Sequence, residues 1–124
     1  NNLSSNVNFS GFIPQNEICE YYKMADIFIL PSVNETWGLV INEAMSQGCA
    51  IITTAEVGSA ADLVEQDVNG YILPEVSLPS LKKALYDITR SGICEAMGQQ
   101  SLKIIATWTP EESVRPFLTE LLHD

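Results

Sequence analysis

At 124 residues, 46% of them hydrophobic, the chain is one domain or a piece of one, with enough mass to bury a core, which excludes a disordered segment. Sixteen acidic residues against six basic ones give a formal charge of −10, which opposes both phosphate-backbone binding and adhesion to anionic lipid, so a nucleic-acid partner is not expected. Cys19, Cys49 and Cys94 are an odd set without paired spacing, as expected of reduced thiols in a cytoplasmic protein, and no apolar run reaches the length of a membrane span.

Val7, Asn8 and Phe9 alternate in polarity and run into Gly11 and Pro14, which predicts a first strand and a turn. A helix is predicted over 15–25, where Ile18, Tyr21, Tyr22, Met24 and Ala25 recur at helical spacing, with Glu17 and Glu20 toward its front and Lys23 near its end. The compact run 27–30 reads as a buried parallel strand. A loop from Pro31 follows it and opens into an apolar helix over 39–45 that ends at Gly48. Residues 50–54, rich in β-branched side chains, predict a second buried strand. Gly58 starts a loop, 60–66 read as a short helix capped by Ser59, and the turn 67–70 leads to a short strand over 71–73. Beyond Pro79 the pattern is helical only: 80–89 with Leu81, Ala84, Leu85 and Ile88 inward, then 93–106, then 111–122 started by Pro110. The alternation predicts an α/β fold: a partial, doubly wound, Rossmann-like parallel sheet in three layers, with right-handed crossovers and extra C-terminal helices.

The loop 31–38 is where such a fold collects a ligand, because it lies at the carboxyl end of a strand and the start of a helix, whose first N–H groups attract anions. Trp37, Gly38 and Leu39 would supply those groups. Glu35 precedes the helix and Glu43 lies about a turn and a half inside it; helical side chains lean toward the N-terminus, so both carboxylates are expected to address one crevice. The bland account of Glu35 is a charge that stabilises the helix start, and that of Trp37 is packing. Glu43 sits among Val40, Ile41, Ala44 and Met45, so its charge needs a partner or a ligand. His123 is expected to be exposed and inert, the cysteines to fill core space, and no spacing points to a metal.

The run from Pro31 to Leu73 resembles the donor-binding half of GT-B glycosyltransferases of the retaining group, the glycosyl transferases group 1, and the likeness extends over about 7–89. The resemblance rests on two glutamates separated by seven residues, Glu35 and Glu43, with Pro31-Ser32 before the first, Trp37-Gly38-Leu39 after it, Glu43-Ala44-Met45 at the second, and Asn69-Gly70 further on. It departs from the family pattern at Trp37 for phenylalanine, at Ala50 for proline, and at Gly58-Ser59-Ala60-Ala61-Asp62 for Gly-Gly-x-x-Glu.

The resemblance implies a hexosyltransferase that moves a sugar from a nucleotide-diphosphate sugar to a sugar or glycolipid acceptor with retention, in polysaccharide or glycoconjugate biosynthesis. It needs no metal and no cofactor besides the donor. Glu35 would be the catalytic-site residue that binds hydroxyls of the donor sugar, and Glu43 would hold the ribose hydroxyls. Thr36, Trp37, Gly38, Leu39 and Val40 would line the donor, with N–H groups from Trp37 to Val40 meeting the diphosphate. The arginine and lysine that neutralise the leaving diphosphate, and the acceptor site, would come from upstream and from an N-terminal domain. A start so close to a strand is expected of a piece of a longer protein, inactive alone, cytoplasmic or peripheral to the inner membrane as a whole. A non-catalytic sugar-nucleotide-binding or assembly module and a GT-B sugar-nucleotide epimerase are the rival readings.

In the usual strand order, 7–9 lies at a far edge, separated from 27–30 by two strands supplied from upstream. Without them, 7–9 is expected to slide in beside 27–30 and complete a four-stranded sheet, or a second copy to cover the bare edge; either way self-association is expected.

Overall fold

Three aliphatic runs form a parallel sheet in the computed structural model, which describes residues 3–108: β1 (Ile27–Leu30), β2 (Ala50–Thr54) and β3 (Gly70–Leu73), in the order β1-β2-β3. Ile27 stands opposite Ala50, and Ile51 opposite Gly70. β2 is central and buried at every position, as a parallel strand covered on both faces must be. Its hydroxyls are used inward: Thr53 Oγ1 donates to the Leu30 carbonyl at 3.0 Å and Thr54 Oγ1 to that of Ser32, which fixes the chain where it leaves β1.

Alternate side chains of the strands feed two cores. On one face Phe28, Leu30, Ile51 and Ile72 meet α1 (Gln15–Met24), α2 (Leu39–Ser46) and α3 (Ala60–Leu63) through Tyr22, Ile41, Met45 and Leu63. On the other, Ile27, Ile29, Ile52 and Leu73 meet α4 (Leu78–Ile88) and the first half of α5 (Ile93–Ala106) through Ala84, Ile88 and Met97. The later part of α5 sends Ile104 and Ile105 to the first core. The result is the expected three-layer α/β arrangement, with helices beyond the sheet.

Four expectations are corrected. The first strand does not form: Val7, Asn8 and Phe9 pair with nothing in the sheet, and Phe9 is 94% exposed, so the sheet has three strands rather than four. A strand is stable only against a partner ladder, and alternation in three residues supplies none. The helix predicted over 60–66 stops at Leu63 because the buried Asn69 side chain takes over its end, donating to the Leu63 carbonyl at 3.0 Å and accepting from Glu65 N–H at 2.7 Å. Ser59 does not cap it: its backbone is αR rather than the extended form a capping residue needs, and its Oγ is buried without a hydrogen-bond partner. α4 begins earlier than predicted, since Ser77 Oγ accepts from Ser80 N–H at 3.3 Å and Pro79, in the first turn, forfeits no needed donor. The helix predicted over 111–122, with Pro110, and His123 lie outside the described residues.

Candidate functional site

The loop that leaves β1 is pinned by backbone. Gly58 N–H donates to the Glu35 carbonyl at 3.1 Å and Ser59 N–H to that of Trp37 at 2.9 Å, and Glu35 and Val57 form a parallel bridge. The two loops run so close that a Cβ on Gly58 would lie 1.8 Å from the Thr36 carbonyl oxygen. Gly38 turns the chain into α2 with φ +80°, a conformation side chains resist, and a Cβ there would meet Val57 Cγ1 at 2.8 Å. α2 starts without a side-chain cap and without an acid in its first turn, so its positive end is open to an anion.

Within this frame Glu35 and Thr36 are exposed, Leu39 is 61% exposed and Val40 is half-buried. The Trp37 side chain is buried at 6% exposure, with its ring centroid 6.1 Å from that of Trp108. Its indole is packing, and what the loop offers at this position is backbone.

Glu43 is half-buried and faces α1. Its Oε2 accepts from the Tyr22 hydroxyl and its Oε1 from Gln15 Nε2, each at 3.3 Å. Gln15, Cys19, Tyr22, Glu43 and Ser46 border a cavity of about 230 Å³ that Glu35 does not line. The expectation that Glu43 requires a partner is met by Tyr22, which sequence patterning places on the apolar stripe of its helix, and by Gln15 at the start of that helix. Gln15 and Tyr22 lie seven positions apart, two turns of one helix, and a tyrosine on a core-facing stripe is the one available signal, because its hydroxyl must find an acceptor.

Burial first, then the Glu43 charge and hydrogen bond, and lastly Cys49, push the Tyr22 hydroxyl up from 10.0 to about 12. Folding therefore favours the protonated phenol. The associated stability is present below pH 10.0 and is lost as pH rises toward about 12, because the unfolded chain releases that proton first. Denaturation across this interval is expected to show the loss, and Tyr22→Phe to flatten it; an unchanged slope in the variant would contradict the assignment.

Of the basic residues, Lys23, Lys82, Lys83, Arg90, Lys103 and Arg115, none lies in 31–48. Lys23 is paired with Glu20 at 2.9 Å and Lys83 with Asp87 at 2.7 Å, both on helix surfaces. Among the described residues no three His, Cys, Asp or Glu side chains gather as a metal site, the three cysteines are free, and no helix is long and apolar enough to cross a membrane.

A parallel sheet between two helical layers, with a pinned loop and an open helix start at the end of β1, is a Rossmann-like arrangement. Residues 1–103 match the family of glycosyl transferases group 1, and the chain belongs to it. Over 62 residues, 50% of this chain and 12% of the relative, it is 37% identical to the sulfoquinovosyl transferase SQD2 of Arabidopsis thaliana. Sucrose-phosphate synthase from Thermosynechococcus elongatus superposes with a TM-score of 0.80 at 26% identity, over 98% of this chain and 31% of that one. The C-terminal domain of the group 1 glycosyl transferase LpcC from Francisella tularensis superposes with a TM-score of 0.71 at 31% identity, over 80% of this chain and 51% of that one. The match thus spans only 12% of the length of SQD2 and 31% of the synthase.

Proposed function

We propose that the chain is the C-terminal, donor-binding portion of a glycosyltransferase that moves a hexose-type sugar from a nucleotide-diphosphate sugar to a sugar or glycolipid acceptor, with retention of anomeric configuration. One observation carries this reading: a backbone-pinned loop presents Glu35 at the uncapped start of α2, with Glu43 held about one turn further in. In it, Glu35 takes hydroxyls of the transferred sugar, Glu43 takes the ribose hydroxyls, and Thr36, Trp37, Gly38, Leu39 and Val40 line the diphosphate with backbone. No cofactor besides the donor substrate and no resident metal are proposed. The whole enzyme is proposed to be cytoplasmic or peripheral to the inner membrane.

The work of these groups is positioning and electrostatics. A helix start contributes only about 0.3–1 kcal/mol toward an anion, whereas a positioned donor at a developing charge is worth roughly 3–4 kcal/mol. With a formal charge of −10 on the chain, the departing diphosphate is proposed to draw cations from elsewhere in the protein, and the acceptor site is proposed to lie in an N-terminal domain. These 124 residues alone are therefore expected to show no transfer. Proton NMR of the product formed by the intact enzyme tests the reading, with retention expected at the anomeric carbon. An inverted product, or robust turnover by the isolated chain, would refute it.

The outer edge of β1 carries no partner strand among the described residues, and Phe9, Phe12 and Met24 are exposed at 94%, 92% and 75%. The isolated chain is proposed to self-associate on that account. Light scattering over a range of concentrations is expected to give masses above the monomer; a monomer throughout removes the proposal.

A further inference from the structure

A carboxylate that accepts two ligand hydroxyls must have its direction fixed before the ligand arrives, and Glu43 is gripped from α1 at both oxygens. The two grips differ. Gln15 is exposed at the first residue of α1 and has a flexible side chain. Tyr22 is 7% exposed, and its ring stands edge-on to Phe28 of β1, with centroids 5.6 Å apart and planes at 77°. Its own carbonyl accepts from the Cys49 thiol at 3.4 Å, which ties the same residue to the entry of β2. The buried ring packs against β1, and the main chain that carries it is tied to the start of β2, so the carboxylate takes its direction from the ring. Ionised Glu43 has about four lone-pair positions, and Tyr22 and Gln15 occupy one on each oxygen, which leaves the rest for incoming hydroxyls.

We infer that Tyr22 is a positioning residue for donor recognition: its hydroxyl, immobilised by the sheet, sets the Glu43 carboxylate in the orientation that accepts ribose hydroxyls. The inference rests on the proposed role of Glu43. A tyrosine that only fills the core would affect every ligand alike, whereas a positioning tyrosine acts through the hydroxyls that Glu43 contacts.

The test uses the intact protein and its Tyr22→Phe, Glu43→Gln and doubly substituted forms, titrated by calorimetry with UDP, GDP and ADP. The nucleotide that binds tightest is then compared with its 2′,3′-dideoxy counterpart. Glu43→Gln is expected to remove most of the preference for the ribose form. Tyr22→Phe, which keeps the ring and its contact with Phe28, is expected to weaken the ribose form about tenfold and to leave the dideoxy form unchanged. Added to Glu43→Gln, it is expected to do nothing further. If Tyr22→Phe weakens both forms equally, or neither, while Glu43→Gln abolishes the preference, the role of Glu43 stands and that of Tyr22 is overturned. If Glu43→Gln keeps the preference, or none of the three nucleotides binds, the role of Glu43 falls and the inference falls with it.

Discussion

Gly58→Ala is expected to destabilise the protein by about 3 kcal/mol or more and to open the loop that carries Glu35. The new methyl carbon would lie 1.8 Å from the Thr36 carbonyl oxygen and 2.9 Å from its carbon, and both are main chain, which cannot swing aside as a side chain can. The glycine is not in the left-handed region, so alanine is refused by space and not by conformation. Relief requires the loops to part, which breaks the bonds from Gly58 N–H to Glu35 and from Ser59 N–H to Trp37. Each lost bond is worth about 1 kcal/mol, and each carbonyl left buried without a donor costs about 1–3 kcal/mol more. Urea unfolding measures the total, and a change below about 1 kcal/mol would show that the seam yields without cost. Donor affinity in the intact enzyme is expected to fall further than stability predicts, because the loop that yields is the proposed donor loop.

The sheet was legible because its strands are continuous aliphatic runs bounded by turn residues, and a parallel strand buried on both faces has to read that way. The start of α2 was legible too, because the polar loop from Pro31 gives way to an apolar run at Leu39. What stayed hidden was non-local. Whether Val7, Asn8 and Phe9 form a strand depends on a neighbouring ladder, which three residues cannot announce. Ser59 has the right chemistry for a cap but sits in αR with its oxygen buried, while at the other end of the helix Asn69, from beyond a turn, stops it at Leu63. At the site, Glu43 on an apolar helix signalled that some partner was needed. Its partner, Tyr22, comes from another helix and reads locally as one more packing residue. The expectation that both glutamates address one crevice came from helix geometry alone; the structure has Glu35 exposed on the loop and Glu43 turned to the cavity beside α1.

In the intact enzyme Glu35→Ala and Glu43→Ala are each expected to lower turnover by one to two orders of magnitude. A hydrogen bond from a charged group to a ligand is worth roughly 1.5–3 kcal/mol, and about 1.4 kcal/mol is tenfold. The two variants should part company in stability. Glu35 contributes to the seam through its backbone carbonyl, and its side chain is exposed, so alanine keeps the seam and is expected to change stability by less than about 0.5 kcal/mol. Glu43→Ala removes the acceptor of the buried Tyr22 hydroxyl, which adds about 1–3 kcal/mol of destabilisation to any loss of function. Steady-state rates measured beside unfolding curves separate the contributions. Glu35 is further expected to alter the choice of sugar more than Glu43 does, since it is proposed to meet the transferred sugar itself. Near-normal rates for both variants would sink the assignment of this loop. A slow but stable Glu35→Ala enzyme would be the clearer support, because its stability leaves loss of a ligand contact as the cause.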